Sequence, residues 1–255
     1  MLYSLQAHSS LCDFLSFSLD SRLLISRTSF TLSTWDIQSG QELYTLRGNL
    51  KAFTACTFSS DGKTFIGSDE DGTITVWDLQ TGQQLHSQQQ EPGKPHLLAM
   101  HPDGQICVHS NSDGTNTAWE LQTGKERRVF RNDDRVDKIS ELCFSSDGRL
   151  LISVTRDPIR YRNCIKGWNF HNGEKQFTYE ETVSRFGALA ISPNGQILSV
   201  SHASNGVKVL NLLTGEELAI CEHDDEKIRF ILFNPQGTRM ITVSSETIKV
   251  WRVVF

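Results

Sequence analysis

One phrase recurs along this chain, and its period constrains the fold more than any other feature. A hydrophobic residue, two small or polar residues, an Asp, Asn or Gln and then Gly stand at Phe58–Gly62, Met100–Gly104, Phe144–Gly148, Ile191–Gly195 and Phe233–Gly237, with Phe17–Ser21 as the weakest copy. A second mark follows each: Trp35-Asp36, Trp77-Asp78, Trp119-Glu120, Trp168-Asn169, Leu210-Asn211 and Trp251-Arg252. Successive second marks are 42, 42, 49, 42 and 41 residues apart. A period of this size signals a repeat architecture, in which each unit buries its apolar surface against its neighbours. It points to a scaffold for binding without saying what is bound.

The second copy shows the unit. Thr54–Phe58 alternates as a half-buried strand does. Asp61-Gly62 is a hairpin signal, because Gly adopts positive φ at no steric cost. Thr64–Ser68 reads as a second strand, and Asp71-Gly72 turns again. Thr73–Leu79 is rich in β-branched residues and reads as a third strand. Thr81-Gly82 turns once more, into a fourth strand at Gln83–Ser87. Each unit is thus predicted to be a four-stranded antiparallel meander with apolar residues on both faces of its inner strands. Such a sheet needs a neighbour on either side, and radial stacking supplies both.

These residues resemble the WD-repeat family of β-propellers, most closely in Asp71–Asp78, and the resemblance covers essentially the whole chain. The Thr-Gly connections at Thr81, Thr123 and Thr214 look like those of bacterial members. The resemblance implies an all-β fold: a six-bladed propeller of four-stranded antiparallel blades. Its blades fall near 10–48, 51–90, 94–131, 136–180, 184–222 and 226–255, one domain over 1–255. Leu2–Gln6 is similar to Leu43–Arg47, and the chain ends on a third-strand pattern at Thr247–Val253. Residues 1–6 are therefore expected to complete the last blade and close the ring, pairing strand edges that otherwise invite aggregation.

The family's blades are tied by a hydrogen-bonded set of His, Ser or Thr, Asp and Trp. Here the resemblance makes Trp35, Trp77, Trp119, Trp168, Trp251, Asp71, Asp113, His8 and His223 structural residues. The set is incomplete: Leu210 replaces a Trp, Ser29 stands where an Asp is expected, and Gly48-Asn49 stands where Gly-His is common.

The fourth unit departs most. Phe144 and Trp168 are 24 positions apart, against 18 or 19 in the other units, and the excess falls at Arg156–Asn163. An added loop is entropically cheap and is where function tends to sit on a rigid scaffold. In this family that connection and the blade-to-blade connection emerge on one face. From Lys125 to Lys166 there are eleven Lys or Arg against seven Asp or Glu, within a chain of net charge −5. Arg131, Arg135, Arg156, Arg160, Tyr161 and Arg162 are therefore candidate partner-binding residues, with guanidinium groups as bidentate donors to an acidic or phosphorylated segment. The competing reading is a solvated loop whose arginines pair with Asp133, Asp134 and Asp157. A second candidate is the polar, Pro-restricted connection Gln88–His96; a plain connection is its competing reading.

Composition narrows the class further. No apolar run reaches the ~18 residues of a membrane span. The amino terminus lacks the basic and apolar regions of a signal peptide. The six cysteines form no Cys-x-x-Cys pair, and Cys12, Cys56, Cys107 and Cys143 lie in β-like segments, so reduced structural thiols and a cytoplasmic location are expected. The mild acidity argues against nucleic acid as partner. No nucleophile-elbow, phosphate-loop or zinc-protease motif is present, the eight His are scattered, and no cofactor or metal is implied. The reading is a non-catalytic scaffold for protein or peptide partners. A passive or regulatory propeller of a larger signalling protein and, less well supported, a propeller enzyme are the alternatives.

Overall fold

The computed structural model describes residues 12, 14–17, 22–28, 31–47, 53–59, 62–69, 71–89, 97–131, 138–157, 162–181, 188–202, 206–223, 227–234, 236–244 and 246–254. The chain divides into two compact units, Met1–Arg131 and Asn132–Phe255. Among the described residues there is no helix, and hence none long and apolar enough to cross a membrane.

The first unit holds three four-stranded antiparallel sheets. They are β1 (Phe14–Phe17), β2 (Leu23–Arg27), β3 (Thr31–Asp36) and β4 (Glu42–Arg47); β5 (Phe53–Phe58), β6 (Thr64–Asp69), β7 (Thr73–Asp78) and β8 (Gln84–Gln89); and β9 (Leu98–Met100), β10 (Ile106–Ser110), β11 (Asn116–Glu120) and β12 (Glu126–Phe130). The second unit holds a fourth sheet, β13 (Lys138–Phe144), β14 (Leu150–Asp157), β15 (Arg162–Asn169) and β16 (Lys175–Glu181). A fifth contains β17 (Leu189–Ile191), β18 (Ile197–His202), β19 (Gly206–Asn211) and β20 (Glu217–Glu222). The last has three described strands, β21 (Phe230–Phe233), β22 (Arg239–Val243) and β23 (Ile248–Arg252). Within each sheet consecutive strands are neighbours.

The recurring phrase is the first hairpin turn. The hydroxyls of Ser59, Ser145 and Ser192 are buried and accept the N–H of Thr64, Leu150 and Ile197, each at 2.9 Å. A buried backbone donor at the start of the second strand is thereby satisfied. The second mark is the last turn. At Asp36, Asp78, Asn169 and Asn211 the residue after the Trp position accepts backbone N–H groups through its side chain, as Asp78 does from Gln80 and Thr81 (2.7 and 2.8 Å) and Asn211 from Leu213 and Thr214 (2.9 and 3.1 Å). Just before that position the ladder slips at Thr34/Trp35, Val76/Trp77, Ala118/Trp119, Gly167/Trp168 and Val209/Leu210, a bulge repeated in all five four-stranded sheets.

The Thr-Gly turns have a packing reason as well. Gly82, Gly124 and Gly215 all have φ between 65° and 74°, and each lies under a ring from the outer strand of the preceding sheet: Tyr44, His86 and Phe177. A Cβ on Gly82 would stand 3.2 Å from Tyr44, and one on Gly215 would stand 2.8 Å from Phe177. Glycine thus meets both the left-handed backbone and the close approach.

The core lies between sheets. Ile25, Leu32 and Leu46 of the first sheet pack on Phe65, Trp77 and Leu79 of the second; Ile66, Ile74 and Val76 of the second pack on Cys107, Trp119 and Leu121 of the third. In the second unit Leu150, Ile152, Val154, Ile165 and Phe177 meet Leu198, Val200 and Leu210, and the fifth sheet's other face meets Ile231 and Met240 of the last. Within each unit the face bearing the Trp, or Leu210 in the fifth sheet, packs on the preceding sheet and the opposite face on the next. The last sheet departs from this: Phe230, Leu232, Ile248 and Val250, on the face that elsewhere meets a following sheet, are 56–70% exposed.

Two expectations change here. The excess of the fourth unit is not all loop: Arg156 pairs with Asn163 and Asp157 with Arg162, so the hairpin ladder runs on through residues expected to connect it. Cys12 is exposed and outside any strand, whereas Cys56, Cys107 and Cys143 lie in β5, β10 and β13. None of the six cysteines is in a disulfide; burial pushes the Cys143 thiol up to about 12 and keeps Cys107 protonated. The expected closing strand, residues 1–6, and His8 lie outside the described residues.

Candidate functional site

The third strand of every sheet but the fifth carries an indole, and in three of them the second strand supplies its acceptor two residues past the Trp partner. Trp35 Nε1 donates to Ser26 Oγ at 2.8 Å, Trp168 Nε1 to Ser153 Oγ at 3.0 Å and Trp251 Nε1 to Thr242 Oγ1 at 2.8 Å. In the last sheet the set extends to His223, buried, with Nε2 2.5 Å from Thr242 Oγ1 and its ring 6.0 Å from that of Trp251. Such a chain of donors in a dry interior fixes strand register, since each unmade bond leaves a buried polar group uncompensated.

The second and third sheets break the pattern at the same place. Gly67 occupies the hydroxyl position opposite Trp77's strand, and His109 occupies it opposite that of Trp119. His109 is 1% exposed, and neither ring nitrogen has a hydrogen-bond partner; Trp119 Nε1 has none either. Burial lowers the His109 pKa from 6.5 to about 4, opposed by the nearby Asn111 amide. That amide is already committed to the Thr115 and Thr117 hydroxyls, at 2.8 and 2.9 Å. Nothing in the residue pattern marked His109; only the ladder register reveals its position.

At the turn before β7 the buried carboxylate is Asp69, whose Oδ1 accepts the N–H of Asp71 and Thr73 at 3.0 and 2.9 Å. Asp71 itself is exposed. Asp113 accepts from the Thr115 hydroxyl (2.7 Å) and N–H (2.9 Å); these bonds, with a smaller contribution from Arg131, hold its carboxyl below the usual range.

The basic sector divides between the units. Arg131 is exposed just beyond β12 in the first unit. In the second, the backbones of Arg156 and Arg162 lie in β14 and β15, where the register sets Lys138 opposite Arg156 and Asp157 opposite Arg162. Arg135, Arg160 and Tyr161 lie outside the described residues, as does residues 90–96 of the second candidate. Gln88 and Gln89 of that stretch belong to β8. Among the described residues no three His, Cys, Asp or Glu side chains are grouped to hold a metal.

A family model described as WD domain, G-beta repeat, matches residues 40–78 and 215–252. Those two segments are WD repeats. The chain's relatives include the eukaryotic translation initiation factor 3 subunit I of Aspergillus fumigatus and of Neosartorya fischeri, each 30% identical over 108 residues, and that of Emericella nidulans, 29% identical over 108. Each match covers 42% of this chain and 30% of the relative, so the chain spans under a third of the length of these proteins. The matched repeats include Trp77 and Trp251, which pack on the preceding sheet in their units.

Proposed function

We propose that this WD-repeat chain is a non-catalytic, cytoplasmic scaffold for protein partners. In this reading all 255 residues form one six-bladed ring, with residues 1–6 as the fourth strand of the last sheet. The exposed apolar face of the last sheet's described strands supports a further sheet at that position. The likeness to a subunit of a translation initiation factor supports assembly into a multi-protein complex.

The docking site is the lengthened end of the fourth sheet, and it takes an acidic or phosphorylated peptide segment. The observation that carries this is the extension of the β14–β15 ladder to Asp157 and Arg162 within a stretch, Lys125–Lys166, of eleven Lys or Arg against seven Asp or Glu. Substituting Ser at Arg156, Arg160 and Arg162 is expected to leave the fold intact, judged by circular dichroism, and to deplete a subset of proteins captured from native lysate. Equal recovery by wild type and variant removes the site. A passive module docked within a larger protein is the second reading, supported by the apolar face of Phe230, Leu232, Ile248 and Val250.

A further inference from the structure

Outer strands are the free edges of these sheets, and they differ in charge. The stretch Lys125–Arg131, which contains β12, reads Lys-Glu-Arg-Arg-Val-Phe-Arg, four cations and one anion. By contrast β8 carries no Lys, Arg, Asp or Glu, β16 has one Lys and two Glu, and β20 has two Glu. Among the described residues β12 pairs with β11 alone and ends its sheet, so one row of its N–H and C=O groups points away from the ladder. Phe130, 1% exposed, anchors the strand in the core, while Lys125, Arg127 and Arg131 are exposed. Arg127 Nε meets Glu120 Oε1 at 3.1 Å, and the Arg127 side chain is 54% exposed. A pair so open to water contributes little and exchanges readily for another carboxylate.

We propose that β12 accepts an acidic segment of a partner protein as an added fifth strand of the third sheet. Main-chain hydrogen bonds to the open edge supply affinity. Carboxylates on alternate residues of the incoming strand meet the cations at Lys125, Arg127 and Arg131, while the acidic outer strands β16 and β20 repel the same segment. This edge lies in the first unit and is independent of the Arg156 hairpin in the second.

The test is fluorescence anisotropy of the full chain with a labelled peptide of alternating glutamate and valine. Two controls are its copy N-methylated on alternate backbone amides and a lysine–valine counterpart. Binding of the acidic peptide is expected to weaken about tenfold or more on backbone methylation and in Lys125→Glu/Arg127→Glu, whose positions are exposed, and to be unchanged in Arg239→Glu, an exposed cation on β22 outside either proposed site, with Arg156→Ser/Arg162→Ser measured beside them. Equal binding of the methylated peptide reduces the contact to charge alone and overturns strand addition. Equal binding of the lysine–valine peptide, or by the β12 variant, overturns the site. Loss of binding in the Arg156→Ser/Arg162→Ser variant alone transfers the segment to the hairpin and overturns β12 as its seat.

Discussion

Phe177→Ala is expected to destabilise the second unit by about 3–5 kcal/mol, the range for removing a large aromatic from a close-packed core. Phe177 is 6% exposed and touches three things at once. It joins the cluster of Leu150, Ile152, Val154, Ile165, Leu198, Val200 and Leu210; it lies directly opposite Gly167 on β15; and it covers the turn glycine Gly215. Gly167 exists for this ring: a Cβ there would run into Phe177 Cε1 and stand 2.6 Å from Cδ1 and Cζ. Gly167→Ala is therefore expected to cost about 1–3 kcal/mol by overpacking, since the ring has no free volume to enter. The two effects share one cause, so the double variant should be less destabilised than the sum. Denaturant midpoints of the four proteins measure this. A neutral Gly167→Ala, or strict additivity, contradicts the packing described.

The second large effect is acid sensitivity from His109. The imidazole is held neutral by burial, with a pKa lowered from 6.5 to about 4. Between those values the unfolded chain binds the proton and the folded chain does not. Stability from this residue is thus complete above about pH 6.5 and is lost as pH falls towards 4. A shift of that size corresponds to about 3 kcal/mol. His109→Leu removes the titration at similar volume. The stability difference, variant minus wild type, should grow by about 3 kcal/mol between neutral pH and pH 4, with other acid-labile groups cancelling. A difference that is flat with pH shows that His109 does not titrate as a buried neutral ring.

Much of the fold was legible because the repeat writes its turns into local sequence. The reading of Thr54–Phe58, Thr64–Ser68 and Thr73–Leu79 as strands falls within a residue or two of β5, β6 and β7, since Asp-Gly and Thr-Gly turns fix the ends. What stayed hidden depends on partners distant in sequence. That Asp69 rather than Asp71 is the buried carboxylate follows from how the turn folds back onto β6. That Arg156 and Asp157 continue a strand follows from their pairing with Asn163 and Arg162, which residue composition does not encode. His109 and Gly67 matter because of the indole on the neighbouring strand, a relation set by ladder register. The charge of β12 was legible as part of a basic sector, but its place at a sheet edge was not.

The proposal that the chain's two ends share one sheet is tested most directly by a distance measurement between spin labels at positions 3 and 250. Neighbouring strands lie about 5 Å apart, so with label linkers the account predicts one narrow population below about 15 Å. A broad distribution at longer distances would contradict it.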